Sequence, residues 1–150
     1  MLDTLLLMGQ GFLSALTFIN LLAMIGGVTL GIVIGCLPGL SAAMGVALML
    51  PLTFTMPADT GLIVLGAIYC GAIFGGSISA ILIHTPGTPA SAATAIEGYQ
   101  MTLRGKAGKA LATACWSSFW GGLLSCISLY FFSPLLAQLA LKFMSAEKFW

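Results

Sequence analysis

The residues of this chain whose types and spacing could do chemistry gather at two places. One is Pro38-Gly39-Leu40-Ser41; the other is His84-Thr85-Pro86-Gly87-Thr88, with Ser91 and Thr94 close behind. In each, proline removes a backbone donor and glycine accepts dihedrals that no helix uses, so one apolar helix stops and another restarts. The restarting helices begin with hydroxyl residues: Ser41 in the first, Thr88 and Ser91 in the second. Such residues cap helix N-termini and donate hydrogen bonds. A helix N-terminus also offers free N–H groups and about half a positive charge, which suits a carboxylate. Ser41 and Thr88 could equally cap helices that merely pack against neighbours. Two similar breaks in one short chain favour a ligand-facing role.

His84 is the one ionisable group in the run from Thr60 to Ile96. A histidine at membrane depth relays protons or binds substrate, so His84 is a candidate for ion coupling; a histidine satisfying a local carbonyl near the interface is the plainer alternative. Glu97 fits an interfacial ion pair. Arg104, Lys106 and Lys109 hold three of the five basic residues and fit topology determinants facing the cytoplasm. Cys36, Cys70, Cys115 and Cys126 all lie in apolar runs without Cys-x-x-Cys spacing, so they are expected to pack as small hydrophobes. Neither a metal site nor a cofactor is expected. Gly39-Leu40-Ser41 with His84 invites comparison with a serine hydrolase, but Ala43 stands where the Gly-x-Ser-x-Gly elbow needs glycine. No carboxylate has a claim to orient the histidine, so the chain is not expected to be an enzyme.

The elements that must position these breaks belong in a membrane. Charged residues make up 6% of the chain, against about 25% in ordinary globular proteins, and the mean hydropathy is +1.10. Thr4 to Ala58 carries no charge, Thr60 to Ile96 none besides His84, and Ala110 to Leu141 none. Each run exceeds the roughly 20 helical residues that cross a hydrocarbon core. A net charge of +1 leaves no patch for a nucleic-acid backbone. Met1-Leu2-Asp3 has no basic region, so a removable secretory signal is disfavoured.

The expected architecture is an all-α polytopic bundle whose helices are broken at Pro-Gly motifs. Residues 4–17 suit an interfacial helix; spans fall at about 19–37, 61–83 and 110–132, the last closed by Pro134. Short half-helices are expected at about 41–50, ending at Pro51, and 90–96, followed by a polar cytoplasmic loop over 97–109. Leu135 to Trp150 starts a further helix. Small residues recur every fourth position: Gly27, Gly31, Gly35, Gly39; then Ala67, Gly71, Gly75, Ser79; then Ser117, Gly121, Ser125. In lipid, such stripes let helix backbones approach closely.

Unpaired backbone inside a bilayer is costly unless it lines a cavity, and broken helices in transporters do so around their substrate. Carboxylates would be expected in these spans for a cationic substrate, and none is there. A carboxylate permease is the leading expectation. A non-transporting structural or assembly subunit is the runner-up, with bends for breaks and docking faces for stripes, and a channel comes third.

Gly35-Cys36-Leu37-Pro38-Gly39-Leu40-Ser41, Leu50-Pro51-Leu52-Thr53-Phe54 and Ile68-Tyr69-Cys70-Gly71-Ala72-Ile73-Phe74-Gly75-Gly76-Ser77 resemble the large membrane subunit of tripartite tricarboxylate transporters. Thr85-Pro86-Gly87, Glu97-Gly98-Tyr99-Gln100-Met101 and Gly105-Lys106-Ala107-Gly108-Lys109-Ala110-Leu111 continue the resemblance in order. It implies a permease of the bacterial inner membrane that imports citrate-like or other carboxylates by secondary transport. Sodium or protons would be the coupling ion. The implied partners are a small membrane subunit and a periplasmic solute-binding protein. The family's large subunit is about three times this length, built from two related halves of opposite orientation, so the resemblance places this chain in its N-terminal part, within one half of an inverted repeat. Carried over by position, the substrate site comprises Pro38, Gly39, Ser41, Thr85, Pro86, Gly87, Thr88 and Ser91. Many relatives are expected to have asparagine where this chain has His84, and the segment after Thr88 varies among them.

Overall fold

The structure, a computed structural model, describes residue 9 and residues 11–142. The regular elements are α1 (Phe18–Cys36), α2 (Ala42–Thr53), α3 (Ala58–Ile83), a 3-10 turn (Pro89–Ser91), α4 (Ala92–Leu103) and α5 (Ala107–Lys142). There is no strand among the described residues. Residues 11–15 are also helical, while residues 4–8 and 10 of the expected interfacial helix lie outside the described residues. Three stretches are long and apolar enough to cross a membrane: α1, α3, and Ala107–Leu129 within α5. This is the fold of an all-α, multi-pass membrane protein. The chain divides into two units, Met1–Ala114 and Cys115–Trp150.

In the first unit, α1 and α3 run parallel in a fixed offset of forty residues. Thr60 Oγ1 donates to Asn20 Oδ1 (2.7 Å) at one end. A Cβ added to Gly27 would stand 2.9 Å from the Ala67 Cβ. One added to Gly31 would collide with the Ile68 carbonyl, and one on Gly35 with the Ala72 carbonyl. From the other side, Gly71 lies against Val28 and Gly31, and Gly75 against Ile32 and Cys36. Because lipid supplies no hydrophobic drive between helices, this backbone-to-backbone contact gathers dispersion and Cα–H···O contacts instead. Bulky side chains turn outward, as in Phe18 (76% exposed) and Leu62 (72%), where lipid would meet them.

Parallel α1 and α3 require a return, and α2 provides it. Its Gly45 faces the side chains of Ile34 and Ile68, and its Thr53 lies beside Gly61, so α2 runs antiparallel to both. Helix α2 does not end at Pro51 as its sequence suggests, but continues to Thr53. The last-turn carbonyls that the end of the helix leaves open are met by hydroxyls: Thr53 Oγ1 donates to Leu50 O (2.7 Å) and Thr55 Oγ1 to Leu52 O (2.8 Å).

Two further boundaries differ from expectation. The half-helix expected over 90–96 continues as α4 through Leu103, so only residues 104–106 separate it from α5 instead of the polar loop over 97–109. Glu97, Tyr99, Gln100 and Thr102 are polar, but a short helix packed on one face alone accommodates them: Ala95 and Gly98 are buried while Glu97 and Gln100 are exposed. Gly105, at φ 73°, makes the turn. The third span does not close at Pro134, since α5 passes through it to Lys142. In the second unit, Trp116, Phe119 and Trp120 meet edge-on along α5, with ring centroids 6.2 and 5.7 Å apart.

Candidate functional site

Helix α1 ends at Cys36, and Gly39 takes φ 96°, a left-handed conformation that makes the first break. Ser41 follows in extended conformation and caps α2, its Oγ accepting from the Met44 amide (3.2 Å). One turn further along α2, Gly45 is level with Ile68, so Ser41 stands near the height of Ala72. The amides of Ala42 and Ala43 have no hydrogen-bond acceptor among the described residues. They are the open donors expected of a helix N-terminus.

The second break is re-entrant. Helix α3 outlasts α1 by about two turns and stops at His84, which adopts φ 57°, ψ 23°. Asparagine, aspartate and histidine enter this left-handed region more readily than other non-glycine residues. The chain then folds back along α3. The Gly87 amide donates to Gly76 O (3.4 Å), seven residues or about 10 Å below the end of α3. A Cβ on Gly76 would come within 2.7 Å of Thr88 Oγ1. From that depth the 3-10 turn and α4 climb again, so α4 starts inside the fold and ends at the basic turn.

Thr88 and Ser91 form a reciprocal cap. The Thr88 amide donates to Ser91 Oγ (3.3 Å), and Ser91 Oγ donates to Thr88 O (2.7 Å). Both are buried, Thr88 at 5% and Ser91 at 1% exposure. Pro89 occupies the first position, where a missing N–H leaves nothing unpaired, and the Ala90 amide has no acceptor among the described residues. Three contacts hold α4 to the end of α3: Thr102 Oγ1 donates to Ile81 O (2.7 Å), Gly98 lies against the Ile81 side chain, and the Tyr99 and His84 rings stand 4.6 Å apart.

The two breaks meet through glycine. Gly87 rests on the carbonyl of Gly35, with Gly76 Cα and Ser79 Oγ on its other sides, so a Cβ there would overlap the Gly35 oxygen. Cys36, the next residue, directs its Sγ to Gly75 O (3.4 Å). The N-termini of α2 and α4 therefore begin within about one turn, 6 Å, of each other in height, and their helices leave in opposite directions. Helices α2 and α4 do not pack on one another.

Of the residues singled out in the sequence, Gly87, Thr88 and Ser91 come together as one buried cluster, and Ser41 caps the other half-helix. Pro38, Gly39, Thr85 and Pro86 are exposed at the rims of the two breaks, as is His84. Gly35 and Gly76, the walls of the Gly87 seat, and the buried pair Asn20 and Thr60 were not among the expected site residues, although Gly35 belongs to the small-residue stripe. A signal was there: Gly27, Gly31 and Gly35 stand forty residues before Ala67, Gly71 and Gly75, and Asn20 stands forty before Thr60.

Residues 21–150 match the family described as "Tripartite tricarboxylate transporter TctA family". The chain is 46% identical over 149 residues to a protein of Agrobacterium vitis described as an uncharacterized 52.8 kDa protein in the TAR-I ttuC′ 3′ region. That match takes in 99% of this chain and 30% of the relative, so the chain spans about a third of the relative's length. No solved structure matches.

Proposed function

Since the chain belongs to the tripartite tricarboxylate transporter TctA family, we propose that it forms part of a permease that imports tricarboxylates or related carboxylates. One observation carries this reading: two half-helix N-termini start at nearly the same height, with open amides at Ala42, Ala43 and Ala90, and no acidic side chain lies between Asp59 and Glu97. Open amides and the positive ends of two helix dipoles favour a carboxylate. The exposed rim, Pro38, Gly39, Thr85 and Pro86, is the approach to these amides. Ser41, Thr88 and Ser91 hold them in place, and Gly87 sets their separation. His84 is the candidate for coupling to sodium or protons, beside its role in ending α3.

The basic turn, Arg104, Lys106 and Lys109, marks the cytoplasmic side. On that assignment α1 and α3 run from the periplasmic to the cytoplasmic face of a bacterial inner membrane. A periplasmic binding protein delivers the carboxylate and a small membrane subunit completes the assembly.

Uptake of labelled di- and tricarboxylates tests the reading, in cells expressing the gene that encodes this chain with its binding protein. Gly87→Val and Ser41→Ala should both depress uptake. Unchanged uptake in both would remove the breaks from the pathway.

A further inference from the structure

The α1–α3 interface raises a question of register. Both stripes repeat every fourth residue, so sliding α1 by one turn, about 6 Å, would pair Gly27 with Gly71, Gly31 with Gly75 and Gly35 with Ser79. Every pair would still be small, and backbone would still meet backbone. Sliding the other way sets Gly27 against Ile63, which the close approach does not admit. The stripes alone therefore exclude one slip and permit the other.

One polar pair distinguishes the native register from the permitted slip. Asn20 is 5% exposed and Thr60 9%. Thr60 Oγ1 donates to Asn20 Oδ1 at 2.7 Å, and Asn20 Nδ2 donates to Ser14 O at 2.7 Å. Both ends of the carboxamide are thus satisfied, and no buried side-chain nitrogen or oxygen among the described residues lacks a partner. After the permitted slip Asn20 would face Val64, and its oxygen would be buried without a donor. Buried polar pairs can select one register among near-equal alternatives, as a core asparagine does in coiled coils.

We propose that Asn20 and Thr60 are positioning residues that pin the register of α1 against α3, and so fix the relative depth of the two helix breaks. The geometric chain runs from the pin to the site. Fifteen residues along α1 from Asn20, about 22 Å away, the Gly35 carbonyl forms one wall of the seat for Gly87. The other wall, Gly76, belongs to α3. A one-turn slip carries Gly35 about 6 Å past that seat and shifts the N-terminus of α2 by a turn relative to that of α4. The importance of that shift for transport rests on the proposed function; the pin itself does not.

The test is a distance. Nitroxide labels at Leu22→Cys and Leu82→Cys, both exposed positions, are introduced in protein whose Cys36, Cys70, Cys115 and Cys126 are replaced by serine, reconstituted in lipid nanodiscs. Leu22 and Leu82 lie about 30 Å apart along the helix axes in the native register, and the permitted slip shortens that by about 6 Å. Thr60→Val should add a second, shorter population, while Thr60→Ser, which keeps the donor, should give the native distance alone. Asn20→Leu/Thr60→Val, which leaves no polar group unpaired, serves where Thr60→Val does not reach the membrane, and should show both populations. A single native distance in the folded Thr60→Val or double variant overturns the pin. Carboxylate uptake does not enter this readout, so failure of the transport reading leaves it standing.

Discussion

Gly87 sits against the main-chain oxygen of Gly35, so the turn that begins one half-helix rests on the last turn before the other. Neither residue could carry a side chain there. Gly87→Ala should destabilise the folded protein by about 1–3 kcal/mol, as overpacking does, and should lower carboxylate uptake more than it lowers the amount of protein in the membrane. Thermal unfolding in detergent and uptake normalised to membrane protein check the two halves of this prediction.

Glycines in the α1–α3 contact should behave oppositely to glycines facing outward. A Cβ on Gly31 meets Ile68 backbone, whereas Gly26 and Gly66 have nothing within 4 Å. Gly31→Ala should destabilise by about 1–3 kcal/mol. Gly26→Ala and Gly66→Ala should stabilise by up to about 1 kcal/mol through helix propensity. Unfolding midpoints of the three variants in one detergent decide the signs.

The two caps should differ in strength. Ser91→Ala leaves the buried Thr88 amide without its acceptor, at about 1–3 kcal/mol. Ser41→Ala removes a cap at a half-buried position, at about 1 kcal/mol. Ser91→Ala should therefore lower the unfolding midpoint further than Ser41→Ala, a ranking that chemical denaturation followed by tryptophan fluorescence measures.

At His84 the backbone conformation sets the expectation. With φ at 57°, His84→Asn should preserve the fold, and His84→Val should destabilise by about 1–2 kcal/mol, because a β-branched residue fits the left-handed region poorly. Uptake lost in a stable His84→Asn protein assigns the imidazole to ion coupling; uptake retained removes it from that role.

Much of this arrangement is legible in the residues themselves. Uncharged runs set the three spans, and Pro38-Gly39 and Pro86-Gly87 mark the breaks, because a missing donor and a permissive φ have local consequences. The length of α4 was not legible: Glu97, Gln100 and Arg104 look like a loop until Gly98 and Thr102 are seen to dock on Ile81. Pro51 and Pro134 read as helix ends, yet an apolar helix carries through them. The roles of Thr88 and Ser91 depended on tertiary placement as well, since inside the fold the Ser91 hydroxyl turns to the Thr88 backbone and the Thr88 hydroxyl to Ser91 Oγ. Register lay in the forty-residue offset between stripes, a pattern that gains meaning only once α1 and α3 are known to be parallel.

The central claim is that a carboxylate meets this protein at the paired breaks. Single cysteines at Ser41 and Thr85, in an otherwise cysteine-free and transport-active permease, can be titrated with a charged thiol reagent while citrate is varied. Citrate should slow modification at both positions in a saturable way, and a neutral compound of similar size should not. Modification rates at both positions that stay constant across saturating citrate, in protein that still transports it, would contradict the claim.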